Sequence, residues 1–225
     1  MRIGLFGGTF DPIHWGHLRS AEEVREAFRL DRVLFIPASI QPLKKGGAAD
    51  ASDRLAMARL ATRGNPRFAV SDVELRRPGK SFSIDTLGYF AARRKGDRLY
   101  FILGMDAFRH IGAWKDFQEI FPLAHLIVTS RPGSREPLDP AGLPVAARKS
   151  FCYDPKKKAH RHESGTLLHF LKLTDIDISA SEIRTRARAG KSIRYLVPRE
   201  VERYIERRGL YRGSKGKDPR RGEKI

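Results

Sequence analysis

Residues 7–17 read GGTFDPIHWGH: two glycines, an Asp-Pro pair and two histidines at i, i+3 in one short stretch. Their chemistry suits an anion. Gly7 and Gly8 leave a phosphate free to approach the main chain, because no side chain stands in the way. Gly16 does the same at a helix start, where unpaired N–H groups favour negative charge. The imidazoles of His14 and His17 can both reach such a phosphate, as hydrogen-bond donors or as cations. The stretch is neither a P-loop nor a dinucleotide fingerprint, since GxxxxGK[ST] is absent and GLFGGTF breaks the GxGxxG spacing. Singly these features are ordinary: Gly-Gly usually marks a turn, and histidines so spaced usually decorate a surface or, more rarely, bind a metal. Their conjunction at one corner points to a polyphosphate.

Far down the chain, residues 178–184 read ISASEIR. Ser179 followed three residues on by Glu182 has the form of a capping box, so a helix is expected to begin here. Its first N–H groups, the Ser181 hydroxyl and the Arg184 guanidinium make a second anion site, this one cationic. By itself the segment reads as a well-capped helix and no more.

These residues need elements to hold them. Residues 3–6 form a short apolar run stopped by Gly7 and Gly8, as a buried strand would be. From 17 to 30, Leu18, Ala21, Val24 and Phe28 fall at helical spacing, and 33–36 read as a second buried strand ended by Pro37. Ser52 is expected to cap a helix through Thr62, and Ser83 another through Arg94. Strands are expected over 68–73, 99–103, 126–128 and 166–173, with an amphipathic segment over 107–121. Between 132 and 162 the pattern fades into prolines, KKK and HRHE, around a short strand at 151–153. HRHE is taken as surface. Helices over 179–189 and 198–208 end at Gly190 and Gly209. Short strands, apolar on both faces and alternating with helices, predict an open, mostly parallel α/β sheet with helices on both faces and a small C-terminal helical part. In such sheets ligands bind beyond the C-terminal strand ends, which is where GGTFDPIHWGH falls.

The 225 residues suit one domain, expected over 1–211, followed by a basic tail at 212–225 without apolar periodicity. Lys and Arg number 44 against 26 Asp and Glu, a formal net charge of +18, so the partner is anionic. No apolar run approaches the ~20 residues of a membrane span, and MRIGLFGGTFDP does not read as a signal peptide. A single cysteine, Cys152, rules out an internal disulfide framework and fits a reducing compartment, so the protein is expected to be cytoplasmic.

GGTFDPIHWGH resembles the (H/T)xGH signature of the nucleotidyltransferase superfamily, in the form found in bacterial nicotinate-nucleotide adenylyltransferases. ISASEIR resembles the ISxTxIR signature of the same superfamily, with Ser181 where threonine is common. QPLKK resembles a Pro-Pro-His-Lys-like element, keeping Pro42 and Lys44 but with leucine for the histidine. FSIDTL at 82–87 and GMDAFRHIGAWKDFQEI at 104–120 resemble two further family segments. The resemblance implies a Rossmann-like nucleotidyltransferase fold and transfer of AMP from ATP to nicotinate mononucleotide, with Mg²⁺ accompanying ATP. His14, His17 and Arg184 would be catalytic. Gly7, Gly8, Thr9, Phe10, Gly16, Asp106, Ile178, Ser179 and Ser181 would bind ATP, with Asp106 on a ribose hydroxyl. Lys44, Thr86 and Trp114 would bind the mononucleotide, Thr86 near the pyridine carboxylate and Trp114 stacked on the ring. No protein metal ligand is implied.

Two sister activities are nearest. Phosphopantetheine adenylyltransferases are shorter, usually carry threonine at the position of His14, and lack the tryptophan segment. Cytidylyltransferases share both histidines but differ in the C-terminal signature. The +18 charge and basic tail motivate a nucleic-acid-binding alternative with steep salt dependence, but no helix-turn-helix, zinc finger or RNP-like motif supports it. Neither nucleic acid nor a membrane is required as partner. The oligomeric state stays open, a homo-oligomer included, as does the preference between nicotinate and nicotinamide mononucleotides.

Overall fold

A computed structural model of the chain describes residues 1–40, 49–130, 140 and 143–212. Strand β1 (Arg2–Gly8) leads into helix α1 (Trp15–Ala27), followed by β2 (Arg32–Pro37), α2 (Ala51–Thr62) and the short β3 (Phe68–Val70). Next come α3 (Ser83–Arg93), β4 (Arg98–Gly104), α4 (Met105–Arg109), α5 (Ile120–Leu123) and β5 (His125–Thr129). The C-terminal part holds α6 (Val145–Arg148), β6 (Phe151–Asp154), β7 (Ala159–His162), β8 (Leu167–Leu171), α7 (Ala180–Arg188) and α8 (Arg199–Arg208).

All the strands join one sheet in the order β3-β2-β1-β4-β5-β8-β7-β6. From β3 to β8 neighbours are parallel, while β7 and β6 are antiparallel additions. The open, mostly parallel sheet expected from the alternation is present, with helices on both faces. Strand alternation explains the two apolar layers. Leu99, Phe101 and Leu103 of β4 pack with Leu87, Phe108 and Phe121 on one face. Tyr100 and Ile102 turn to the other, among Leu18, Val24, Met57, Ile183 and Val201. Strand order runs outward 1-2-3 on one side of β1 and 4-5 on the other, so the topological switch lies between β1 and β4. Phe6 pairs with Ile102, which brings the ends of both strands to the same edge, at the crevice where such sheets bind ligands.

Several local expectations need correction. Asp50 rather than Ser52 stands at the cap of α2, and Phe82 rather than Ser83 at the cap of α3. The segment 107–121 is no single helix. It breaks into α4, a 3₁₀ turn at Ile111–Ala113, extended backbone at Trp114, left-handed Asp116 (φ 46°), a second 3₁₀ turn and α5. Phe108, Ile111, Ile120 and Phe121 all enter one cluster. Burying each is worth roughly 1.5–3 kcal/mol, against less than ~1 kcal/mol per residue from helix propensity, so the backbone bends to follow burial. HRHE is not surface: its first three residues lie in β7, and His162 is buried against Phe121 and Phe151.

Two further histidines are structural. His125 stacks on Tyr100 and its Nδ1 accepts the Leu167 N–H at 3.0 Å. Burial pulls His125 and His169 from the ordinary 6.5 down to about 4, so both are neutral in the folded protein at pH 7. Because the unfolded chain protonates them first, charging opposes folding as pH falls from about 6.5 toward 4. Among the described residues no helix is long and apolar enough to cross a membrane.

Candidate active site

The β1–α1 corner is built around aromatic rings. Phe10 adopts φ 50°, and its ring, 2% exposed, packs against Phe6, Phe35 and His17, the last edge-on at 5.1 Å. A Cβ on Gly8 would lie 2.9 Å from that ring. Gly8 is therefore required by Phe10, an intramolecular reason that phosphate approach had not anticipated. The Phe10 ring is likewise part of the packing under the loop, leaving its main chain as the part that a ligand could meet.

His14 occupies the N-cap of α1 and His17 its third position, so the i, i+3 spacing is the spacing of a cap and its partner. The His14 N–H donates to His17 Nδ1 at 3.3 Å, and the two rings lie 3.7 Å apart, tilted by 34°. An Nδ1 that accepts leaves the proton on Nε2. With Nδ1 accepting, Nε2 is the ring nitrogen through which His17 can offer an N–H. Gly16 makes room for the pair: a Cβ there would meet His14 Cε1 and Nδ1 at 3.1 Å and the Ile178 carbonyl at 3.7 Å.

That last contact joins the two distant motifs. Arg184, on α7, donates from Nη1 to the Asp11 carbonyl at 2.6 Å, across 173 residues of sequence. Ser179 caps α7, accepting the Glu182 N–H at 3.2 Å, and its Oγ lies 3.2 Å from Ser181 Oγ. The GGTFDPIHWGH corner and the ISASEIR turn therefore lie against each other. Tyr211 closes the corner, its hydroxyl donating to Asp11 Oδ1 at 2.6 Å. Burial first, and then the Asp11 carboxylate, push the Tyr211 pKa upward, so it remains a donor. Asp11 and Tyr211 were missed by sequence reading. An Asp-Pro signals a turn, and nothing local marks a tyrosine that pairs 200 residues away.

On the neighbouring strand, Asp106 is exposed just past the end of β4, its carbonyl 2.8 Å from His110 Nδ1. Trp114 is half-buried, edge-on to Phe101 at 6.2 Å. Lys115 reaches the start of α3, with Nζ 3.4 Å from Asp85 and 5.1 Å from the Phe82 ring centre. The Trp114 segment and the FSIDTL helix are therefore neighbours. The Thr86 side chain, however, is 5% exposed. Its hydroxyl donates to buried Glu74 at 2.7 Å and accepts from Arg77 Nη2, while burial raises the Glu74 pKa. That hydroxyl serves an internal network, so any contact of this region with a pyridine carboxylate must come from other atoms. Pro42 and Lys44, and the tail beyond Arg212, lie outside the described residues. Among the described residues no three of His, Cys, Asp and Glu are grouped to hold a metal ion.

The cytidylyltransferase-like family model matches residues 5–186. A protein of Syntrophotalea carbinolica named "Probable nicotinate-nucleotide adenylyltransferase" is 51% identical over 94% of this chain and 98% of its own length. A Geobacter sulfurreducens protein of the same name is 49% identical over the same shares. The solved structure of Plasmodium falciparum nicotinic acid mononucleotide adenylyltransferase complexed with NaAD superposes with a TM-score of 0.70 at 16% identity, covering 93% of this chain and 97% of that one; at that identity it speaks to the fold. On the family match and the near-full-length relatives together, the chain belongs to the cytidylyltransferase-like family, among its nicotinate-nucleotide adenylyltransferases.

Proposed function

We propose that the chain transfers AMP from ATP to nicotinate mononucleotide, releasing pyrophosphate and forming nicotinate adenine dinucleotide. The observation that carries this reading is the 2.6 Å bond from Arg184 to the Asp11 carbonyl, which unites the GGTFDPIHWGH corner and the ISASEIR turn. The names of the relatives agree with it.

In the reaction a 5′-phosphate oxygen of the mononucleotide attacks the α-phosphorus of ATP, and the bond from that phosphorus to the departing pyrophosphate breaks. The nucleophile is already anionic at neutral pH, so no base has to remove a proton. Catalysis consists of holding two anions in line and stabilising charge that grows on the leaving group. His17, with its proton on Nε2, donates to the phosphates; His14, stacked upon it, lines the same wall. Ser181 and Arg184 approach from α7. Asp106 binds a ribose hydroxyl, and Trp114 stacks on the pyridine ring. The donor set fits Mg²⁺ carried on the triphosphate: the residues that meet at this corner are imidazoles, hydroxyls and a guanidinium rather than a carboxylate cluster. When bound, Mg²⁺ neutralises phosphate charge. The single cysteine suits a reducing, cytoplasmic setting.

The test is a product assay with ATP and either nicotinate or nicotinamide mononucleotide. Pyrophosphate and the nicotinate dinucleotide should appear together, faster than with the amide. Turnover of neither mononucleotide would refute the reaction, and faster turnover of the amide would refute the acceptor.

A further inference from the structure

A buried arginine stands beneath this site without a place in the chemistry just described. Arg54, in the first turns of α2, is 3% exposed. Its guanidinium donates to four main-chain carbonyls: Nη1 to Thr9 at 2.9 Å and to Ala38 at 2.6 Å, Nη2 to Ser39 at 2.9 Å, and Nε to Ala49 at 3.3 Å. Such burial has to be repaid by hydrogen bonds, and a rigid fork of five donors can reach several acceptors at once as no other side chain can. The carbonyls belong to separate stretches, one following β1 and one following β2, with Ala49 just before α2. Arg54 therefore fastens the first loop to its neighbour across the C-terminal edge of the sheet. The second stretch is held in turn, as the Ser39 N–H donates to Ser81 Oγ at 3.2 Å and the Ser81 N–H to the Ile40 carbonyl at 2.9 Å.

The consequence lies in the peptide plane. The Thr9–Phe10 peptide is trans, and in a planar trans peptide the N–H points opposite to the C=O. Drawing the Thr9 carbonyl onto Arg54 turns the Phe10 N–H away from the guanidinium. The Asp11 carbonyl two residues later is drawn onto Arg184, so the loop is fixed at both points by arginines from different helices. We propose that Arg54 is a positioning residue for the triphosphate, holding the Thr9 carbonyl inward so that the Phe10 N–H is presented to a phosphate oxygen. The inference deepens the adenylyl-transfer reading and rests on it for the identity of the ligand.

Two measurements test it, both on the full chain. In the parent protein, saturating Mg·ATP should shift the amide resonance of Phe10, and an unmoved resonance would overturn the proposal. In Arg54→Gln, Mg·ATP affinity measured by calorimetry should fall ~10–100-fold, the scale of one misplaced donor. Affinity for nicotinate mononucleotide should change less than about threefold. Arg54→Lys, with three donors on one nitrogen, should fall between the two and serves wherever the glutamine variant does not fold. A folded variant with parental Mg·ATP affinity, or one that loses both ligands equally, would overturn the proposal. A parent protein that binds Mg·ATP but makes no dinucleotide would refute the proposed reaction instead, leaving the triphosphate comparison to decide Arg54.

Discussion

Replacing His17 by alanine should lower kcat ~10²–10³-fold, the scale for losing one donor that acts in the transition state. The imidazole has two jobs that the substitution removes together. Its Nδ1 accepts the His14 N–H at 3.3 Å, and in the proposed reaction its Nε2 donates to the triphosphate. Loss of the first is a capping effect of ~1 kcal/mol, visible as a modest fall in Tm. Loss of the second is the rate effect. A pair of variants separates them. In His17→Asn the side-chain carbonyl can stand where Nδ1 stands and restore the cap, so Tm should recover while the rate does not. In His17→Gln the side chain can close the capping box from this third position, so Tm should also recover, and any rate that returns with it reports a donor near the Nε2 position. Steady-state kinetics and thermal unfolding of all three variants check this. Parental turnover by folded His17→Ala would remove the imidazole from the mechanism.

The Trp114→Ala variant should raise KM for nicotinate mononucleotide ~10–100-fold, since stacking a base on an aromatic ring is worth ~1–3 kcal/mol. KM for ATP should stay within about threefold. Trp114 also packs edge-on to Phe101, so the alanine variant loses some stability as well. Trp114→Phe retains a π face and should recover most of the affinity. Steady-state titration of each substrate against a saturating level of the other gives the answer. Equal weakening of both substrates would mean that the ring is only a part of the core.

Much of this architecture is readable from residue types because parallel strands buried on both faces leave short unbroken apolar runs, as at 3–6 and 33–36. The two candidate anion corners are readable for a related reason. Glycines, caps and histidine spacing are local features, and local features survive in sequence. What the pattern hides is whatever depends on distant partners. Gly8 is explained by the Phe10 ring, and Gly16 by both His14 and the Ile178 carbonyl. Thr86 sits in a family-like FSIDTL run, yet its hydroxyl is taken by Glu74. In sequence Arg54 is one basic residue among 44, and only the fold shows it fastening two loops. The amphipathic segment over 107–121 does not form one helix because its apolar residues suit one cluster better than one helix face, and the resulting bend sets Trp114 beside α3.

A crystal structure of the protein with Mg²⁺ and a non-hydrolysable ATP analogue would examine the proposed triphosphate site itself. We expect the phosphates at the β1–α1 corner, within ~3 Å of His17 Nε2, Ser181 Oγ and the Arg184 guanidinium. A triphosphate seated elsewhere on the chain, with Arg184 still engaged by the Asp11 carbonyl alone, would contradict the assignment of both motifs to one nucleotide.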